Sequence, residues 1–182
     1  MKTALLVIDV QMALADDDAA GASRSCPEAE QNIGHLLTQF RARGDKVIHI
    51  HHHGVDPSDP FHPDNSGAAV QQCAAPLENE AVVIKNVSSA FVGTSLESDL
   101  RNDGIERVVV TGATANHCAE STTRSAGNLG FDTIYVADAV WAYDATGPDG
   151  TYHAADQIHS VTLANLHGEF ATVMKTDDVL KE

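Results

Sequence analysis

Apolar residues along the chain form short continuous runs, separated by longer segments with helical periodicity. Six apolar runs predict strands: Thr3–Asp9, Lys46–His52, Ala81–Lys85, Arg107–Thr111, Thr133–Ala137 and Phe170–Lys175. Continuous runs, rather than alternating ones, are typical of strands buried on both faces of a parallel sheet. The segments between them predict helices: Glu28–Arg43, Thr94–Asn102, Asn116–Leu129 and His153–His167. This alternation predicts a three-layer α/β/α fold with right-handed crossovers.

The length of 182 residues suits one domain with a full core, which we expect to span residues 1–182. Open parallel sheets bind ligands beyond the carboxyl ends of their strands. The polar groups at those ends are therefore the candidates for chemistry: Asp9, His52, Lys85, the turn Thr111–Cys118 and Asp138.

Three of these strand-end residues together suggest nucleophilic catalysis. Cys118 lies where a strand passes through a small-residue turn into a helix, with Asn116 as the expected N-cap. A helix N-terminus and a nearby cation favour a thiolate, so we expect Cys118 to be reactive. Asp9 could serve as its base and Lys85 as the cation. Taken singly, each also fits a plainer role: a turn-capping Asp, an exposed Lys, an inert buried Cys.

Three sequence blocks resemble the isochorismatase-like cysteine hydrolases and occur in the same order. They are Leu-Leu-Val-Ile-Asp-Val-Gln at the start, Val-Ile-Lys followed by Ser-Ala-Phe-Val-Gly-Thr-Ser-Leu, and Thr-Gly-Ala-Thr-Ala-Asn-His-Cys-Ala-Glu-Ser-Thr-Thr-Arg-Ser-Ala. The resemblance implies an Asp–Lys–Cys triad at Asp9, Lys85 and Cys118. It also implies a Rossmann-like sheet of order 3-2-1-4-5-6 and a non-proline cis peptide at Ala113–Thr114.

Departures from the family pattern narrow the expected chemistry. Isochorismatases proper lack the cysteine, so Cys118 points to the amidase branch, with a small amide, N-carbamoyl compound or ureide as substrate. Nicotinamidases carry an Asp-x-His metal site after the second strand, but this chain has His49–His53 there and no matching Asp. Neighbouring strand residues point to opposite faces, so His51 and His53 oppose His52. We therefore expect neither a metal nor another cofactor.

The hydrolase interpretation also assigns residues to the pocket. Backbone N–H groups of Thr114 and Cys118 are expected to hold the oxyanion. His52, Phe91, Trp141 and His117 are the expected substrate contacts. Two other functions stay open at this point: a redox protein with a peroxide-sensitive Cys118 thiol, and a metal-dependent amidase that uses the histidine cluster.

Charge and cysteine content limit the partners and the compartment. The net charge of −15 argues against nucleic acid and anionic membranes, which need a cationic surface. Three cysteines without a CxxC pair fit a reducing compartment. The first apolar run is too short for a signal peptide, so we expect a cytoplasmic protein.

We also expect a homo-oligomer, at least a dimer. Two long loops, Gly54–Gly67 and Asp138–Thr151, should overhang the strand ends. We expect some of their aromatic residues to lie at a subunit interface near the site: Phe61, Trp141, Tyr143 and Tyr152. The alternative is that the loops fold back on their own subunit as a lid.

Overall fold

A six-stranded parallel sheet forms the centre of the computed structural model, which describes residues 1–182. The strands of this sheet are β1 (Thr3–Ile8), β2 (Lys46–His52), β3 (Ala81–Lys85), β4 (Arg107–Ala113), β5 (Asp132–Trp141) and β8 (Thr172–Met174). A separate antiparallel pair consists of β6 (Ala145–Thr146) and β7 (Tyr152–His153). The order in the main sheet is β3-β2-β1-β4-β5-β8, which confirms the expected 3-2-1-4-5-6 arrangement.

Helices cover both faces of the sheet and complete the three layers. They are α1 (Met12–Ala19), α2 (Ala29–Arg43), α3 (Leu96–Asn102), α4 (Glu120–Asn128), α5 (Ala155–Leu166) and α6 (Thr176–Val179). A π-helical turn, Ala115–Ala119, precedes α4, and short 3-10 turns occupy Ser66–Ala68 and Gln72–Ala74. No helix combines the length and the apolar character that a membrane span needs.

Two apolar clusters of 19 and 18 buried residues contain alternating residues of the central strands. Leu6 and Ile8 of β1 belong to one cluster, whereas Leu5 and Val7 belong to the other. This division accounts for the continuous apolar sequence of β1, because both of its faces are buried.

The structure differs from the sequence prediction mainly between β4 and α5. The pairing of β4 with β5 shifts register between Val110 and Gly112, and β5 runs on through Asp138 to Trp141. Asp138 is therefore not a strand-end site residue. Its Oδ1 instead accepts hydrogen bonds from the backbone and hydroxyl of Thr176. The loop predicted at Asp138–Thr151 contains the end of β5 and strand β6, so that prediction was wrong in part.

The helix predicted at Asn116–Leu129 divides into the π-helical turn and α4. Asn116 is not its N-cap, because the turn begins at Ala115 after Thr114. The backbone N–H groups of His117 and Ala119 both donate to the Thr114 carbonyl, at 3.0 and 3.3 Å. The wider π turn follows the Ala113–Thr114 peptide, which is cis as expected.

Candidate active site

Asp9 and Lys85 form a buried ion pair at the carboxyl end of the sheet. Lys85 Nζ lies 2.7 Å from Asp9 Oδ2, and the two side chains are 0% and 4% exposed. The residues follow β1 and end β3, so the lysine side chain crosses the end of the intervening β2. The ammonium group compensates a carboxylate that would otherwise be costly to bury.

The Asp9 backbone is held in an unusual conformation that fixes its side chain. Its φ of 52° lies in the left-handed region, and its N–H donates to Ile50 O at 2.9 Å. Asp9 Oδ1 is buried and has no hydrogen-bond partner. Burial raises the pKa of the Asp9 carboxyl, while Lys85 and, more weakly, Cys118 and His52 oppose that rise. The free oxygen of Asp9 is therefore a buried, unused acceptor.

Gly112 allows the turn that carries Cys118 to lie against Asp9. Its φ is 106°, and a Cβ atom there would be only 2.0 Å from Ile8 O. Only glycine permits this close approach of β4 to β1. The cis peptide and the π-helical turn follow, and Cys118 becomes half-buried in that turn.

The surroundings of Cys118 favour a protonated thiol, contrary to the expected thiolate. Burial, together with the neighbouring Asp9 carboxylate, raises the pKa of Cys118 to about 12, although Lys85 opposes the rise. Desolvation and a like charge both disfavour the thiolate. The expectation of a low-pKa thiol was wrong because it considered the helix N-terminus and the cation but not the burial.

The Thr114 side of the turn offers a backbone donor. The Thr114 N–H donates to no group within the protein, and the Thr114 hydroxyl hydrogen-bonds His117 Nδ1 at 2.9 Å. An unengaged N–H beside a thiol can stabilise negative charge on a substrate oxygen. The position of Thr114 is therefore compatible with the predicted oxyanion role.

His52 lies beside the ion pair, with its Nδ1 3.3 Å from Lys85 Nζ. Gln11 fixes the end of β2 here, since its Oε1 accepts from His52 N–H and its Nε2 donates to the His52 carbonyl. Burial and the adjacent ammonium lower the pKa of His52. The role of Gln11 was not predicted, although the residue belongs to the Asp-Val-Gln block that carries the family resemblance.

A cavity of about 410 Å³ opens above these groups. Asp9, Cys118 and Thr114 line it, as do two of the predicted substrate contacts, His52 and His117. Further wall residues that the sequence analysis did not assign to substrate are Leu14, Asp59, Pro60, Phe61, Ser88 and Ala113. The structure thus brings the predicted nucleophile, base and oxyanion donor to one concave surface, the usual setting of a small-molecule site.

The loop after β2 forms one wall of the cavity within the same chain. The Phe61 ring packs edge-on against His52, with 5.6 Å between ring centres. The Phe61 carbonyl accepts from Gly54 N–H, which folds the loop back on its start. This loop therefore packs on its own subunit, as the alternative to an interface-ordered loop predicts.

Two of the predicted substrate contacts lie elsewhere. Phe91 does not line the cavity, because its ring stacks on Phe131 at 6.0 Å in the apolar core. Trp141 is fully buried in β5, where the Arg24 guanidinium covers its ring at 4.3 Å and its Nε1 donates to Tyr143 Oη. Both residues pack the core, and neither lines the cavity. Trp141 is fully buried and therefore not available to a subunit interface, whereas Tyr143 is half-buried.

The histidines of β2 do not converge on one point. His49 Nε2 is 2.9 Å from a Glu80 carboxylate oxygen on the side of the sheet away from His52. His52 Nδ1 instead faces the Lys85 ammonium, a poor neighbour for a bound cation. No group of three or more His, Cys, Asp or Glu side chains has the geometry to hold a metal ion. The residues present therefore do not fit the metal site of nicotinamidases.

Comparison with known proteins places these observations in one family. The family model described as isochorismatase domain matches residues 3–178. The uncharacterized isochorismatase family protein YrdC of Bacillus subtilis is 41% identical over 181 residues, which cover 100% of this chain and 96% of the relative. The crystal structure of a putative isochorismatase-family hydrolase from Chromobacterium violaceum has a TM-score of 0.94 at 39% identity, covering 99% of this chain and 92% of that one.

Two further matches carry an activity in their names. A cysteine hydrolase from Pseudomonas syringae superposes with a TM-score of 0.89 at 26% identity, covering 99% of this chain and 91% of that chain. The maleamate amidohydrolase of Pseudomonas putida is 26% identical over 195 residues, which cover 100% of this chain and 86% of the relative.

Proposed function

Because this chain belongs to the isochorismatase family of hydrolases, we propose that it hydrolyses a small amide, N-carbamoyl compound or ureide through a thioester on Cys118. The single observation that carries this proposal is the unpartnered Oδ1 of Asp9. Lys85 occupies the other oxygen of that carboxylate. A buried carboxylate oxygen left free beside a protonated thiol is a ready acceptor for the thiol proton.

In the first half-reaction, Asp9 Oδ1 takes the proton of Cys118 Sγ as the sulfur attacks the substrate carbonyl carbon. The raised pKa of Asp9 helps this transfer, because a more basic carboxylate accepts a proton more readily. The N–H groups of Thr114 and Cys118 hold the carbonyl oxygen as it becomes negative. The tetrahedral intermediate then expels ammonia or an amine, which takes the proton from Asp9, and a thioester remains.

In the second half-reaction, water replaces the leaving amine. Asp9, ionised again, removes a proton from that water as its oxygen attacks the thioester carbon. The carbon–sulfur bond breaks, the thiolate recovers the proton from Asp9, and the acid product leaves. Lys85 acts through Asp9: it keeps the buried carboxylate ionised between the proton transfers.

An ammonia-release screen across primary amides, N-carbamoyl compounds and ureides tests the proposal. We expect at least one class to be hydrolysed by the protein and not by the Cys118→Ala variant. Cys73→Ala is the matched control, because Cys73 is exposed and does not line the cavity. Turnover that survives in Cys118→Ala, or no ammonia from any compound, would refute thioester hydrolysis.

The same screen, repeated after dialysis against a chelator, tests whether a metal takes part. We expect full activity to remain, since His49 is engaged by Glu80 and His52 faces an ammonium group. Loss of activity that zinc restores would contradict the metal-free mechanism.

A further inference from the structure

Acidic side chains outnumber lysines and arginines in the wall of the cavity above Cys118. Its wall contains two carboxylates, of Asp9 and Asp59, and no lysine or arginine. Lys85 neutralises Asp9 from beneath, and its side chain is 0% exposed, so its ammonium is closed to a ligand. Asp59 forms no ion pair with a lysine or arginine. The wall therefore presents one uncompensated negative charge.

The loop holds the Asp59 carboxylate firmly in position. Its Oδ1 accepts from Phe61 N–H at 2.8 Å, and its backbone carbonyl accepts from His62 N–H and from the side-chain amide of Asn65. The side chain packs on Gly54, where an added Cβ would lie 2.3 Å from Asp59 Oδ2. Oδ2 itself accepts no hydrogen bond within the protein. One oxygen thus orients the carboxylate and the other is unengaged.

The only basic side chains in the cavity wall are the imidazoles of His52 and His117, and neither carries the permanent positive charge of a lysine or arginine. Burial and the Lys85 ammonium lower the pKa of His52, which disfavours a positive charge on its imidazole. The net charge of the chain, −15, adds to the negative potential around the cavity. A substrate carboxylate placed here would lose water without gaining a lysine or arginine partner.

We infer that the site accepts small amides that are neutral or positively charged, excludes amides that carry a carboxylate near the reacting carbonyl, and uses Asp59 as the residue that sets this preference. The inference rests on the proposed amide hydrolysis. Its physical basis is a difference between two affinities: Asp59 attracts a ligand cation and repels a ligand anion at the same position.

Three amides of similar size make the test direct: 3-aminopropanamide as the cation, butyramide as the neutral compound and malonamate as the anion. Ammonia release gives kcat/KM for each. We expect the cation to be preferred over the anion by about tenfold or more, the size of effect that one charge at close range produces. Ligand-observed NMR also measures how tightly each of the three compounds binds to Cys118→Ala, so the preference for cation over anion can be determined even where turnover is slow.

Asp59→Asn is the informative variant, because the amide oxygen can still accept from Phe61 N–H. We expect it to lower the ratio of cation to anion kcat/KM about tenfold. The control is Asp64→Asn, which removes a charge from the same loop at a side chain that is 91% exposed and outside the cavity wall. That control should keep the wild-type ratio.

The outcomes separate the two proposals. Absence of turnover for every compound in the broader screen would refute amide hydrolysis itself. Turnover or binding of malonamate equal to or above that of butyramide would overturn the charge preference and leave the hydrolase intact. A preference that Asp59→Asn does not change, or that Asp64→Asn changes equally, would overturn the assignment to Asp59.

Discussion

Lys85 Nζ contacts Asp9 Oδ2 at 2.7 Å across the end of β2, although Lys85 ends β3 and Asp9 follows β1, two strands that are not neighbours in the sheet. The contact leaves Asp9 Oδ1 as the free acceptor beside Cys118. The proposed reaction depends on this difference between the two carboxylate oxygens. Lys85 holds Oδ2, and Oδ1 is free to accept the proton of Cys118.

Removing the lysine should destabilise the protein and leave it with only a small residual activity. Lys85→Met leaves a buried carboxylate without its cation, and we expect the free energy of unfolding at pH 7 to fall by about 3 kcal/mol. Asp9→Asn/Lys85→Met should recover part of that loss but no activity. Denaturant unfolding of the two single variants and the double variant measures the coupling. Strictly additive losses would contradict a direct ion pair.

The acidic side of the pH–rate profile should report Asp9. Burial raises its pKa above the ordinary 3.8, and the base is active only when ionised. Activity should therefore fall as the pH decreases through that raised pKa, with a midpoint above 3.8.

The Lys85 ammonium lowers the pKa of Asp9, so the residual activity of Lys85→Met should have its acidic limb at higher pH. Measurement of kcat/KM from acidic to mildly alkaline pH checks both midpoints. Because the pKa of Asp9 is raised in the folded protein, the stability that protonated Asp9 contributes is lost as the pH rises through that raised pKa. An acidic limb that does not move in Lys85→Met would contradict the role of Asp9 as base.

Alkylation should distinguish the three cysteines. The raised pKa of Cys118, about 12, predicts slow reaction with iodoacetamide at neutral pH and a rate that increases into the alkaline range. Cys73 is exposed and should react first. Peptide mass mapping against time and pH gives each rate. The pKa of an ordinary thiol is about 8.5. Rapid alkylation of Cys118 at a pH well below that value would show that the resting residue is a thiolate.

The sheet could be predicted from sequence because its strands are buried on both faces. Two predicted strands, Lys46–His52 and Ala81–Lys85, have the observed bounds. Strand-end position also predicted that Asp9, Lys85 and Cys118 lie close together, since a parallel sheet gathers such residues at one edge. Helix α1 was missed because its sequence, Met-Ala-Leu-Ala-Asp-Asp-Asp-Ala, is short and its apolar residues do not recur with helical spacing along one face.

The pocket walls could not be predicted in the same way. Trp141 lies in the core because β5 continues beyond its apolar run after a shift in its pairing register with β4. No pattern of residues in the sequence predicts that shift. The raised pKa of Cys118 depends on burial by distant segments, which local sequence does not show. Asp59 and Phe61 reach the cavity only because the loop folds back at Gly54.

Assembly stays a prediction, and we expect at least a dimer. Trp141 and Tyr143 are engaged within their own chain, but Tyr152 of β7 is 60% exposed and could be covered by a second copy. Sedimentation at micromolar concentration should show a species of at least twice the chain mass. A single, fully active species near 19.3 kDa would contradict this expectation.

The most direct test of the covalent mechanism is the mass of the protein during turnover. An amide substrate from the screen is mixed with the protein, quenched in acid within the first turnovers and analysed by intact-protein mass spectrometry. We predict a species heavier by the acyl group, located on the peptide that contains Cys118, sensitive to hydroxylamine and absent from Cys118→Ala. Sustained ammonia release with the adduct on another residue, or by the Cys118→Ala variant, would contradict thioester formation at Cys118.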